Sequence, residues 1–520
     1  MPLFSSAAAS LRASTPTQRL LALLALGLCL HLVFGSLLTL SVDEAHYALY
    51  ADKLALSYFD HPPLVGWVQW PLVALGVSDG VLRLIPQALW LAACLLARDI
   101  AQQLPNLVPS WPTDAQSKEI AGLWAVALVL LAPLLHVLGV GLLPDTLLMV
   151  LSLLLMQVAL RLSSVPQVAP TAQTRLGLWL KAGVLLGLAG LSKYTAILPA
   201  AALVLTLSSV QGVRWLRTPG PWLALVIACS LVSPVFYWNA THEWISFVYQ
   251  LNHGSGGQWQ ARRLLAFIGL QLLTYGPLLF LGGYLALRQL VGSRHWQALG
   301  LLSFFLLPFL VTAALAGGGG SLPHWTGPAW LTLIPFAANA LAAYWRSGKR
   351  QWIIAFVRTQ AVICLLAFVA LFFVGIPGIS QQHAWGKKNP LADLWGWDVA
   401  GAQARELARG LKTQSISVKN WTLASRMAWY ARPVNIFVLD SRFDQFDLWF
   451  GQIPTGGDSI FVNWSQMSFD LPIQAGGFES CTRVEQLNIE RLGRLISDFS
   501  FYHCRNWGGA QAPTHSGKPN

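Results

Sequence analysis

Charged residues are scarce in this sequence. Asp, Glu, Lys and Arg make up only 11% of its 520 residues, against roughly a quarter in a soluble globular chain, and the shortfall excludes an ordinary water-soluble enzyme. Cysteine is rare too, with 6 in all, and shows none of the paired spacing of a metal site. Cys29, Cys94, Cys229 and Cys364 stand singly in apolar runs and read as core residues. No long internal repeat is visible, although paired repeats are common in transporters. What fills the sequence is apolar side chain, 55% of it. Residues 20–40 carry no formal charge and 353–376 carry only Arg358, and either run meets the ~20 residues that a hydrocarbon core demands. Such runs recur over the first ~375 residues, more than a cleaved signal explains.

Eleven spans are expected, at 19–41, 81–104, 120–137, 143–163, 176–192, 195–210, 221–240, 264–287, 297–315, 327–345 and 352–376. With the N-terminus inside, fourteen Lys and Arg fall on the cytoplasmic side of this region. Only Lys53, Arg83, Lys193, Arg262 and Arg263 fall outside. That is a positive-inside bias, and it accounts for the net charge of +12 without nucleic acid as a partner. The partner is the lipid bilayer. Acidic residues run the other way, with Asp43, Glu44, Asp52, Asp60, Asp79, Asp145 and Glu243 outside.

From about Gly378 the charge density rises and apolar runs shorten to strand length at 415–418, 434–439 and 459–462, with helices expected at 398–411 and 491–499. The fold expected is therefore a polytopic α-helical membrane protein over residues 1–376, followed by a small extracytoplasmic α/β or α+β domain over 377–520. Cys481 and Cys504 share that outer compartment, where disulfides persist, and are expected to pair.

The outer loops hold the chemistry. The first, 41–80, opens on Asp43–Glu44, where a boundary carboxylate serves as a general base or metal ligand, or simply starts a helix. The same loop holds Asp60–His61, fixed by Pro62–Pro63 ahead of an interfacial helix at 62–75 that carries Trp67 and Trp70. Asp145 follows Pro144 at the head of a span, and capping is the plain alternative there. Lys193 and Tyr194 lie between two spans, where a lysine either snorkels or meets a phosphate. His324–Trp325 suits a sugar by stacking and hydrogen bonding, or an aromatic belt. Asn252, His253, Arg262 and Arg263 share the longest later loop, and the two arginines suit phosphate or lipid headgroups.

Four stretches, DEAHYALYADKLALSYFDHPPLVGW at 43–67, LLPDTLLM at 142–149, GLAGLSKYTAIL at 187–198 and LPHWTGPAW at 322–330, occur together in one order. In them the chain resembles bacterial GT-C glycosyltransferases of the dolichyl-phosphate-mannose–protein mannosyltransferase type, which include lipid A aminoarabinose transferases. SRMAWYA at 425–431 and SRFDQFDLW at 441–449 extend the likeness into the tail. The resemblance implies inverting transfer of a sugar from a polyprenyl-phosphate donor to an envelope lipid, glycan or protein, at the outer face of a bacterial inner membrane. It implies Asp43 as catalytic base, supported by Glu44. His61, Asp145, Lys193, Tyr194, Arg262, Arg263, His324 and Trp325 would bind substrate, and Asp60 with His253 would meet a divalent metal ion. Where aminoarabinose transferases carry Glu-Lys, this chain has Asp60–His61. A flippase for lipid-linked glycans is the alternative, but its ionisable groups belong near the midplane rather than at loop edges.

Overall fold

The apolar runs fold as helices. The computed structural model describes residues 15–164, 172–254, 257–293, 295–319, 321–348, 350–375 and 389–510. Among these, eight helices are long and apolar enough to cross a membrane: Pro16–Leu37, Asp79–Asn106, Pro144–Ser164, Arg175–Ser192, Tyr194–Gln211, Pro219–Thr241, Trp296–Gly318 and Arg350–Phe373. The expected spans at 120–137 and 264–287 are broken. Ala115–Leu130 meets Pro133–Val140 at 75°, and Ala261–Tyr275 meets Pro277–Gly292 at 106°. The eleventh segment is the helix Gly327–Arg346, buried from Gly327 to Ala342. Protein rather than lipid surrounds it, so it tolerates Asn339, whose amide donates to Ala101 O at 2.8 Å.

The chain divides into two units. The helical unit comprises Met1–Gly35, His61–Val65 and Arg83–Cys364. The other comprises Ser36–Asp60, Gly66–Leu82 and Leu365–Asn520.

Within the helical unit the breaks have identifiable causes. Pro133 and Pro277 cannot donate a helical hydrogen bond, and freed carbonyls in an apolar surrounding need other donors. One side chain serves both breaks. Gln360 Nε2 donates to Leu131 O at 2.6 Å and to Tyr275 O at 3.0 Å, while its Oε1 accepts from Leu278 N at 3.1 Å. Gly276 makes room for it: its φ is +88°, and a Cβ there would lie 2.0 Å from Gln360 Cδ. At the first break, His136 Nε2 donates to Leu130 O at 2.7 Å, leaving Nδ1 to accept from His31 Nε2 at 2.9 Å.

The second unit holds a five-stranded sheet in the order β2-β1-β3-β5-β4. Its strands are β1 (Ser415–Val418), β2 (Asn435–Val438), β3 (Ser459–Trp464), β4 (Phe478–Arg491) and β5 (Arg494–Trp507). β1 runs parallel to β2 and β3, and β5 antiparallel to β3 and β4. The helix expected at 491–499 is a correction: those residues turn the β4–β5 hairpin. Phe499, Phe501 and His503 are buried alternately with half-exposed Ser500 and Tyr502, a period of two that only a strand satisfies. Cys481 stands directly across from Cys504 on this hairpin and the two are bridged. The first loop is built into this unit. Thr39 N donates to Leu394 O at 3.0 Å, Leu40 N to Tyr430 Oη at 2.7 Å and Phe59 N to Gln445 Oε1 at 2.7 Å.

Candidate active site

In the second unit, Asp43 lies in the first turn of the helix Val42–Asp52. The plain reading gave that residue the cap, and the structure assigns it elsewhere. Ser41 is the N-cap, its Oγ accepting from Glu44 N at 3.4 Å, while Glu44 Oε2 accepts from Ser41 N at 3.0 Å. This reciprocal box occupies Glu44 with structure. Asp43 is half-buried at a helix N-terminus, where the exposed N–H groups favour a carboxylate.

The same helix projects His46 and Tyr50, three and seven residues on from Asp43 and so near the same face. Asp60 Oδ1 receives the Tyr50 hydroxyl in a short hydrogen bond and faces His46 Nε2 at 3.4 Å. On its other side His46 Nδ1 meets Ser425 Oγ at 3.2 Å. Burial, and then the Asp60 charge, raises the Tyr50 hydroxyl well above its usual range, so it stays a donor. The Tyr50 ring stacks on Tyr58 at 3.5 Å. Gly66 lets the chain pass this helix, since a Cβ there would lie 2.6 Å from Tyr50 Cβ. Asp79 accepts from Trp429 Nε1 at 3.1 Å and from the Tyr430 hydroxyl, tying the loop to the helix Trp421–Tyr430.

In the helical unit, Asp145 and Lys193 form a buried ion pair, with Nζ at 2.7 Å from both carboxylate oxygens. His324 Nε2 lies 3.9 Å from Asp145 Oδ2, and Lys193 Nζ lies 5.7 Å from the centre of the Trp325 ring. Four residues picked from three loops thus meet in one cluster. Lys193 ends the helix Ala172–Ser192 in an extended conformation, φ −155°, ahead of the next helix. Tyr194 packs on Phe247 at 5.2 Å, and His61 is half-buried. Arg263 bonds the main chain, with Nη1 3.0 Å from Gly318 O, and Arg262 is exposed.

A divalent metal ion is expected at Asp60 and His253. Among the described residues no three His, Cys, Asp or Glu side chains converge as ligands do. Asp60 has one imidazole beside it, and its Oδ1 is held by a tyrosine hydroxyl. His253 lies in the helix Ile245–Gly254, and its side chain is outside the described residues.

Sequence reasoning overlooked His46, Tyr50 and Ser425. The first two were visible as helical spacing from Asp43, whereas Ser425 lies nearly four hundred residues away in the chain.

A family model for dolichyl-phosphate-mannose-protein mannosyltransferase matches residues 60–238. Lipid A galacturonosyltransferase RgtD of Rhizobium johnstonii is 24% identical over 316 residues, which are 59% of this chain and 62% of that protein. The chain thus aligns with under two thirds of that relative's length. Two crystal structures of ArnT from Cupriavidus metallidurans share the fold. The apo form has a TM-score of 0.63 at 17% identity, and the form bound to undecaprenyl phosphate 0.59 at 16%; each comparison covers 94% of this chain and 98% of the other. The class is therefore a multi-pass membrane protein with the GT-C fold. Within it, residues 60–238 are similar to the dolichyl-phosphate-mannose-protein mannosyltransferase family.

Proposed function

We propose that this protein transfers a sugar from a polyprenyl-phosphate donor to lipid A, with inversion, at the outer face of a bacterial inner membrane. The relatives' names support the lipid A acceptor and a polyprenyl-phosphate ligand, and the loop charges support the orientation. The observation that carries the reading is the Ser41–Glu44 box. It satisfies the helix start with two other side chains, so Asp43, half-buried in the first turn at the head of the outer loop, is not the cap. In the reaction, Asp43 takes the proton of an acceptor hydroxyl as that oxygen bonds to the anomeric carbon. The bond from that carbon to the phosphate oxygen breaks, and polyprenyl phosphate leaves with the electron pair. Lys193, exchanging part of its pairing with Asp145, and Arg262 supply positive charge for the departing phosphate, and His324 and Trp325 hold the sugar.

The test is an assay of the full-length protein in lipid vesicles with a panel of undecaprenyl-phosphate-linked sugars and lipid A. Acceptor-dependent release of undecaprenyl phosphate from one donor, with the sugar recovered on lipid A, is expected. Transport of the intact donor across the bilayer without cleavage of its sugar–phosphate bond would replace this reading with the flippase.

A further inference from the structure

The hairpin between β4 and β5 turns on two residues, Leu492 and Gly493, with Arg491 paired across to Arg494. Both turn residues are left-handed, at φ +51° and +72°. A two-residue turn of this kind favours asparagine or aspartate ahead of its glycine, because a larger side chain is costly at positive φ. Here a leucine holds that place, and it is 60% exposed. Neither the turn nor the core of the domain gains from it.

The strand that follows has the same excess. The core-facing column of β5 runs back from His503 through Phe501, Phe499 and Ser497, all buried, and then reaches Leu495, which is 42% exposed. The apolar column overshoots the core it belongs to. Beside it, Arg494 is exposed, and its side chain has no ion pair or hydrogen bond among the described residues. Glu490, also exposed, faces Leu495 across the hairpin.

The position of this tip identifies what covers it. Arg491 Nε donates to Phe372 O at 3.4 Å, and the guanidinium lies 5.0 Å from the centre of the Phe372 ring and 4.2 Å from that of Trp395. Phe372 is the last residue but one of the apolar helix Arg350–Phe373. Residues 365–373 of that helix belong to the same unit as the hairpin. The turn is therefore clamped beside the end of a membrane span, where hydrocarbon gives way to headgroups. At that depth leucine side chains reach acyl chains and arginines reach phosphates.

We propose that the β4–β5 tip docks on the phospholipid surface at which the helix Arg350–Phe373 ends. Leu492 and Leu495 enter the acyl boundary, Arg494 meets lipid phosphate, and Arg491 sets the depth. This goes beyond the transferase reading and does not depend on it.

The experiment uses the full-length protein in lipid nanodiscs, with the exposed free cysteines removed as Cys29→Ala and Cys229→Ala. A bimane label is placed on Glu490→Cys, beside the tip, or on Gln414→Cys, an exposed position ahead of β1 at the opposite end of the sheet. Phosphatidylcholine carrying a nitroxide high on its acyl chain should quench the label at 490 at least about threefold more than the label at 414. Adding phosphatidylglycerol should deepen quenching at 490, and Arg494→Gln should remove that increment. Leu492→Asn/Leu495→Ser should lower quenching at 490 to the level at 414. Its melting temperature in detergent should hold or rise, because both leucines are exposed and asparagine suits the turn. Equal quenching at 490 and 414 in the parent protein overturns the proposal, as does quenching at 490 that survives the double leucine substitution. A label at 490 that is shielded from water yet untouched by the lipid nitroxide also overturns it, by placing a protein partner there. Quenching that ignores phosphatidylglycerol overturns the phosphate contact of Arg494.

Discussion

Ser41 and Glu44 close a reciprocal cap around the start of the helix Val42–Asp52, and Asp43 sits between them without serving as the cap. Under the proposed function, structure and chemistry are divided between neighbouring residues. Ser41→Ala should cost about 1 kcal/mol of stability with turnover largely kept. Asp43→Asn should leave the melting temperature nearly unchanged and reduce transfer by about 10²–10⁴-fold. Thermal unfolding and donor turnover on both variants check the division, and equal losses of turnover in the two would contradict it.

The Asp145–Lys193 pair makes a different forecast. Both partners are buried, so Lys193→Met strands a carboxylate and should destabilise by about 3–5 kcal/mol. The double variant Asp145→Asn/Lys193→Met strands nothing and should be more stable than Lys193→Met alone. Unfolding midpoints in detergent measure this. Additive losses would mean that the pair does not act as a unit.

At the bends, Gly276→Ala should be among the most damaging single-methyl additions in the chain. It places a Cβ 2.0 Å from Gln360 Cδ at a φ of +88°, and displacing Gln360 frees carbonyls at both breaks. Gln360→Leu should lower the melting temperature comparably, each by several kcal/mol equivalents for buried unsatisfied groups. Gly276→Ala should add less in the Gln360→Ala background, where the crowding atoms are gone and the cost of the positive φ remains.

Asp444 gives a pH signature. It caps the helix Gln445–Phe450, yet one of its carboxylate oxygens is buried with no hydrogen-bond partner among the described residues. Burial pushes its carboxyl up to about 6, against the bond from Phe446 N. An unfolded aspartate titrates near ~3.9. The folded state therefore holds its proton more tightly, and stability is fully present below the unfolded value and lost as pH rises towards 6. Asp444→Asn keeps the cap and removes the titration. It should raise the melting temperature at pH 7 and bring no gain at pH 4; a gain of the same size at both would refute this origin.

The helical segments, and the division of 176–210 at Lys193, were legible because length and apolarity are local properties. The 75° and 106° bends were not, because they depend on whether a distant donor exists for the freed carbonyls, and Gln360 is far along the chain from both. The hairpin at 491–499 was misread by stopping at Phe499, before the alternation through Phe501 and His503 became visible. Of the candidate site, Asp145, Lys193, His324 and Trp325 were legible as outer-loop residues, and the structure shows them together. The Asp43 surroundings were only half legible. Ser425 meets His46 of the first loop across most of the chain's length, and no periodicity encodes that.

Gln360 also dates the assembly of the protein. A ribosome makes the chain from the N-terminus, so both broken helices leave it well before the side chain that completes them. Until the helix Arg350–Phe373 follows, Leu131 O and Tyr275 O lack this donor, and their helices stay open to water or to the insertion machinery. The last hydrophobic segment thus acts as a latch, and a chain truncated before residue 360 would leave both bends unsealed.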